Sequence, residues 1–307
     1  MPDDTLPQPP PPAPTIEVCY RHPTVQTRVH CTRCGRPICP DCMIQAPVGF
    51  QCPECVEDAR KEFRQGPARA LRGRASATKV LLVAIVGMFV VEVVMGGPGT
   101  LMQGPDGQTL FDLGAMFPPA IADGQYWRLF SAMFLHAGLL HLAFNGYALW
   151  LFGRNVEEWL GRTWFVVVFF VSGFLASVAS YAFGPVTTLA VGASGAIFGI
   201  FGAFIAYNYR RRHTALASAN LRSAITLIVL NVLLAIGYRA IDWRAHLGGL
   251  VAGLAIGMIA EGFGSGRNAR VLRILAISAL VAGGVALAVW RTDAIRALPQ
   301  FQAIFGA

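Results

Sequence analysis

Residues Leu189–Tyr209 read LAVGASGAIFGIFGAFIAYNY, a stretch without a single charge. A segment of that length and apolarity crosses a bilayer as a helix, because its backbone polar groups find no other partners in hydrocarbon. Small residues recur at Gly195, Gly199, Gly202 and Ala206. That spacing makes one smooth helix face, against which a neighbour can pack backbone to backbone. A second stretch offers the neighbour: Ala245-His246-Leu247-Gly248-Gly249, followed by Gly253 and Gly257. His246, Gly249, Gly253 and Gly257 fall on one side of a helix. The pattern predicts that glycine-packed spans bring together Ser194, set within Gly192-Ala193-Ser194-Gly195, and His246.

The rest of the chain fits a membrane setting. Its 307 residues are 54% hydrophobic and 14% charged, an apolar excess that argues for an all-α polytopic membrane protein over a large soluble core. Seven apolar spans are expected near 79–95, 133–152, 164–183, 191–209, 221–238, 245–263 and 271–290. Basic residues orient them. Arg60 to Lys79 precede the first span, Arg154 and Arg162 follow the second, Arg210–Arg212 and Arg222 separate the fourth and fifth, and Arg267, Arg270 and Arg273 separate the sixth and seventh. All fall on one side, which places the N-terminus in the cytoplasm and the C-terminus outside. The net charge of +8 therefore reads as topology and contact with anionic lipid, with no nucleic-acid partner. The first residues are acidic and proline-rich, so no cleavable signal peptide is expected. Spans two, four and six all enter from outside, which puts His141, Asn145, Ser194 and His246 together in the outer leaflet. Ser194 would lie about 5–10 Å below the surface. A transporter would spread ionisable residues through its spans or break them at the midplane, and neither pattern is present.

All seven cysteines precede the first span, and with one histidine they form four pairs spaced two residues apart: Cys19/His22, Cys31/Cys34, Cys39/Cys42 and Cys52/Cys55. Such spacing suits metal better than disulfides. Eight ligands make two closed tetrahedral zinc sites, structural in kind, with no zinc left for catalysis. Interleaved pairing (Cys19, His22, Cys39, Cys42 and Cys31, Cys34, Cys52, Cys55) and sequential pairing both remain open. A segment this short needs such a staple to fold. The module resembles B-box or RING-like treble arrangements and offers a surface for a protein partner.

A serine brought beside a histidine suits nucleophilic chemistry, which requires a nucleophile and a base. Ser194 needs a base, and His246 can take its proton and return it to a leaving amine. No acid stands at a convincing position, since Asp242 reads as the N-cap of span six. A Ser–His dyad is expected. His141 and Asn145, at i and i+4, share a helix face. Glu92 reads as a snorkelling or loop-capping carboxylate, His136 as structural, and Glu157 and Glu158 as partners of Arg154 or Arg162. In span five, Leu221–Tyr238, no comparable polar site is expected.

Gly192-Ala193-Ser194-Gly195, the Ala245–Gly249 run, and Tyr126-Trp127-Arg128 followed by His136, His141 and Asn145 resemble the rhomboid intramembrane serine proteases, over roughly Val80 to Gly262. The resemblance implies a six-helix rhomboid bundle plus one C-terminal transmembrane helix. It implies Ser194 and His246 as catalytic residues, His141 and Asn145 as oxyanion donors, and Phe198 stacked on the imidazole where a tyrosine is common. It further implies a half-submerged loop over 96–132, span five as a lateral gate, and transmembrane helices as substrates. A non-catalytic rhomboid-like protein that binds such helices is the alternative. The expected organisation is a proline-rich tail (1–15), a zinc module (16–58), a basic linker (59–78), a protease core (79–263) and a seventh span with its tail (264–307).

Overall fold

The computed structural model describes residues 17–46, 48–65, 76–237, 241–264 and 266–305. The tail expected at 1–15, the basic residues Arg69, Arg72 and Arg74, and Tyr238 lie outside them. The chain divides into two compact units, Met1–Arg74 and Ala75–Ala307.

Among its described residues the first unit has almost no apolar core. Two antiparallel hairpins, β1 (Glu17–Val18) with β2 (Gln26–Thr27) and β3 (Ile44–Gln45) with β4 (Phe50–Gln51), precede the helix α1 (Pro53–Gln65). Two-residue strands carry too few ladder bonds to hold themselves. What the unit buries instead is Cys19, Cys31, Cys39, Cys42, Cys52 and Cys55 around Ile38.

Among its described residues the second unit is built from helices: α2 (Ala77–Gly96), four short helices α3 (Thr100–Gln103), α4 (Gly107–Asp112), α5 (Pro118–Ala122) and α6 (Arg128–Ser131), then α7 (Leu139–Ala148), α8 (Arg154–Leu160), α9 (Arg162–Phe183), α10 (Ser194–Arg210), α11 (Ala215–Gly237), α12 (Trp243–Gly262), α13 (Arg267–Arg296) and α14 (Pro299–Phe305). It is an all-α polytopic membrane fold. α2, α9, α12 and α13 are each long and apolar enough to cross a bilayer alone. A fifth span forms if Arg128–Phe134 and Leu139–Leu160, bent by 93°, count as one. A π-turn at Leu149–Gly153 joins α7 to α8, and Gly153 lets the turn pack closely beneath Phe165 and Thr78.

α10 and α12 are the central pair. They run parallel, with Ser194 beside His246 at one end and Arg211 paired to Glu261 at 2.5 Å at the other. A Cβ on Gly202 would stand 2.9 Å from the carbonyl carbon of Gly253, and one on Gly249 2.9 Å from that of Gly195. Any side chain in this seam would strike backbone. Around the pair, Phe165, Val168, Phe169 and Ile200 are fully buried. Outward faces carry Val83, Val94, Phe144, Leu230 and Val251, the apolar surface a lipid-facing helix presents.

The 96–132 segment is an ordered brace. Arg128 is buried and donates to the carbonyls of Phe111 (2.6 Å) and Ala115 (3.1 Å) and to Gln125 Oε1 (2.8 Å), while Phe111 faces its guanidinium at 4.1 Å. One cation of α6 thus ties together α4 and the turns on either side of α5. Helix α13 closes the other side. Tyr181 bonds Thr292 at 2.9 Å, Arg291 donates to the carbonyls of Tyr181 and Gly184, and Arg296 donates to the carbonyl of Ala122 at 2.7 Å.

One expectation needs correction, and another narrows to one of its two readings. Glu157 pairs with neither Arg154 nor Arg162. Its carboxylate accepts from the backbone N–H of Ala77 and Thr78 and the hydroxyls of Ser76 and Thr78, at 2.7–2.9 Å. The unpaired N–H groups and positive dipole end of α2 outcompete a solvated arginine for it. Of the two roles expected for Glu92, loop-capping holds. Glu92 is fully buried and caps the loop at the bend by accepting from His136 N–H at 3.0 and 3.2 Å.

Candidate active site and metal clusters

Hydropathy places Ser194 a few residues inside a span, but α10 begins at Ser194 itself. The residues before it are apolar yet extended. Met116 and Ala190 exchange both backbone bonds, at 3.0 and 2.9 Å, and Gly192 N–H donates to Ala132 at 2.9 Å. Non-helical backbone at membrane depth survives only when protein satisfies it, as here. Gly192, at φ +129°, makes the corner. Its missing side chain also leaves room for His141, whose Nε2 lies 3.0 Å from where a Cβ would stand, while Ser194 Oγ lies 3.6 Å from the same point. As the first residue of α10, Ser194 has a backbone N–H with no intrahelical acceptor and sits in the positive end of the helix dipole. With 17 residues, α10 spans roughly 25 Å, short of the hydrocarbon core.

His246 is the fourth residue of α12. Asp242 caps that helix, accepting from the N–H groups of Arg244 (3.1 Å) and Ala245 (3.3 Å) and from the Ser180 hydroxyl. His246 Nε2 lies 2.9 Å from Ser194 Oγ. The Phe198 ring, one turn below Ser194, stacks on the imidazole with centroids 4.3 Å apart and planes 8° from parallel. On α7, His141 Nδ1 accepts from Ala137 N–H at 3.2 Å, so its neutral ring carries the proton on Nε2, the nitrogen beside the bare Cα of Gly192. Asn145 Nδ2 donates to the His141 carbonyl at 3.0 Å and has a second N–H. His136 is buried beside His141, ring centroids 5.3 Å apart, and its Nδ1 faces the Phe134 carbonyl at 3.2 Å.

Span five departs from expectation. Asn231 of α11 places Oδ1 3.0 Å from His246 Nδ1. The signal was in the sequence, since Asn231 is the only hydrogen-bonding side chain between Leu227 and Gly237, and a lone polar group in a span demands a partner.

In the first unit the ligand atoms gather into two groups, Cys19, His22, Cys39, Cys42 and Cys31, Cys34, Cys52, Cys55, all within 4.8 Å of one another in each. This is the interleaved pairing. The separations suit tetrahedral metal: thiolates about 2.3 Å from zinc stand about 3.8 Å apart, and Cys34 and Cys52 lie at 3.8 Å. His22 Nδ1 lies 3.2 Å from Cys39, 3.5 Å from Cys42 and 3.8 Å from Cys19. Burial raises the Cys19 and Cys31 thiols, but backbone N–H donors outweigh it and bring each down to about 6, where the ligating thiolate forms readily. Both groups could hold a metal ion.

Fold and site together define a class: a polytopic helical membrane protein with a serine and a histidine in hydrogen-bond contact inside its bundle. Comparison with known proteins gives the family. The rhomboid domain matches residues 123–262. The rhomboid protease GluP of Bacillus subtilis is 33% identical over 233 residues, which is 73% of this chain and 43% of that protein. The putative rhomboid protease YdcA of the same organism is 34% identical over 139 residues, 45% of this chain and 69% of that protein. Rhomboid-like protease 1 of Toxoplasma gondii is 33% identical over 186 residues, 59% of this chain and 62% of that protein. The chain thus spans less than half the length of GluP. It belongs to the rhomboid family.

Proposed function

We propose that this chain is an intramembrane serine endopeptidase that cleaves transmembrane helices of other proteins near the outer leaflet. The observation that carries the reading is the 2.9 Å approach of His246 Nε2 to Ser194 Oγ at the start of a helix. In this mechanism the Ser194 hydroxyl passes its proton to Nε2 as the oxygen attacks the scissile carbonyl. The oxyanion forms beside two donors, Ser194 N–H and His141 Nε2–H, with the second N–H of Asn145 as a third. His246 then gives its proton to the leaving amine, and water enters by the reverse path. Phe198 holds the ring plane without a hydroxyl of its own.

The eight cysteine and histidine ligands of the first unit would hold two zinc ions, which supply folding energy there and take no part in peptide cleavage. The positive-inside distribution supports a cytoplasmic zinc module, with the dyad opening to the exterior.

The test is incubation of detergent-purified protein with a panel of transmembrane-helix substrates, wild type beside Ser194→Ala, together with labelling by a fluorophosphonate. Wild type cleaves and is labelled, and Ser194→Ala does neither. Substrate capture by both proteins with no cleavage by either would instead establish the non-catalytic, helix-binding role.

A further inference from the structure

His246 is held at both ring nitrogens. Nε2 faces Ser194, while Nδ1 faces Asn231 Oδ1 at 3.0 Å, from a different helix. An amide oxygen can only accept, so Nδ1 must carry the hydrogen of this bond. A neutral imidazole with its proton on Nδ1 presents a bare lone pair at Nε2, the form a base needs toward the serine hydroxyl. The carboxylate of Asp242, one turn before His246, is occupied by two backbone N–H groups and the Ser180 hydroxyl.

We propose that Asn231 is a positioning residue that fixes the tautomer and ring plane of His246, extending the dyad to Ser194–His246–Asn231. The proposal rests on Ser194 and His246 acting as nucleophile and base. Before transfer, the Asn231 oxygen selects the reactive tautomer. After transfer, when Nε2 carries the serine proton, the same oxygen still accepts from Nδ1–H and steadies the imidazolium. A carboxylate does this in the Ser-His-Asp triad. Here a neutral amide does it, which avoids burying a second charge in apolar surroundings. Phe198 restrains the ring from its face, and Asn231 restrains rotation within that plane.

The experiment compares wild type, Ser194→Ala, Asn231→Leu and Asn231→Asp, with kcat and KM on one transmembrane substrate, fluorophosphonate labelling rate and thermal unfolding measured on each. Leucine keeps the volume and removes the acceptor. Asn231→Leu is expected to lose roughly 10²-fold in kcat, the low end of a general base's contribution, with KM within about twofold and labelling slowed in parallel. Asn231→Asp, which restores an oxygen facing Nδ1–H, should recover most of the rate. Wild-type kcat per folded Asn231→Leu molecule would overturn the assignment, as would an Asn231→Asp variant no faster than Asn231→Leu. Full cleavage by Ser194→Ala is a separate result, and it would remove the dyad itself.

Discussion

Substituting Gly249 by alanine tests whether backbone contact sets the active geometry. A Cβ there would stand 2.9 Å from the carbonyl carbon of Gly195 and overlap its oxygen. Carbon atoms in contact sit about 3.7 Å apart, so α10 and α12 must separate by at least roughly 0.8 Å. Gly195 follows Ser194 directly and Gly249 lies one turn beyond His246, so little of that displacement dissipates before it reaches the pair. The 2.9 Å hydrogen bond would stretch to about 3.7 Å, beyond hydrogen-bonding range. Misplacement of about 1 Å costs on the order of 10²-fold in rate, and overpacking costs about 1–3 kcal/mol in stability. Gly87→Ala is the control, because a Cβ there meets nothing within 4 Å. Both variants are assayed for fluorophosphonate labelling, substrate cleavage and thermal unfolding. Gly249→Ala should fall about 10²-fold in labelling per folded molecule while Gly87→Ala matches wild type. A Gly249→Ala protein that labels at the wild-type rate would refute the claim that this seam fixes the distance.

His141→Ala removes one oxyanion donor while Ser194 N–H remains, so single-turnover cleavage should drop by roughly 10²-fold with substrate affinity little changed; a lower melting temperature with an unaltered rate would reassign His141 to helix packing. Glu157→Ala strips four hydrogen bonds from the start of α2 and should cost about 2 kcal/mol in stability, read by thermal unfolding, without changing the rate of the folded fraction. Metal analysis of the purified chain should find about two zinc per molecule, and a strong chelator should remove them and make the residues around Cys19–Cys55 protease-sensitive while fluorophosphonate labelling persists.

Much of this architecture was readable from spacing alone. Glycine at 195, 199 and 202 against 249 and 253 is a packing code, because only a bare Cα permits such an approach. The ligand pairs likewise name their chemistry, though not their partners, since interleaving depends on how the β1–β2 and β3–β4 hairpins return the chain. Hydropathy failed where apolar sequence is not helical. Leu189–Ala193 is apolar enough to open a span, yet Gly192 at φ +129° makes it part of the loop that delivers Ser194 to a helix start. It also failed for lone polar groups. Asn231 was passed over as part of an apolar span and Glu157 was matched to arginines close in the chain, yet each finds its partner on a distant helix, a relation that needs register between helices rather than composition within one.

The bonds made by α13 bear on timing in the cell. Carbonyls of Ala122, Tyr181 and Gly184, in the brace and just ahead of the loop that leads to Ser194, receive their donors from Arg291 and Arg296. Translation runs from the N-terminus at about 5–20 residues per second, so these donors leave the ribosome seconds after Ser194 and His246 have been made. Until then the loops around the serine lack their clasp. A nascent chain therefore carries Ser194 and His246 before it has the scaffold that braces them, and the pair is clasped only once α13 has joined the bundle.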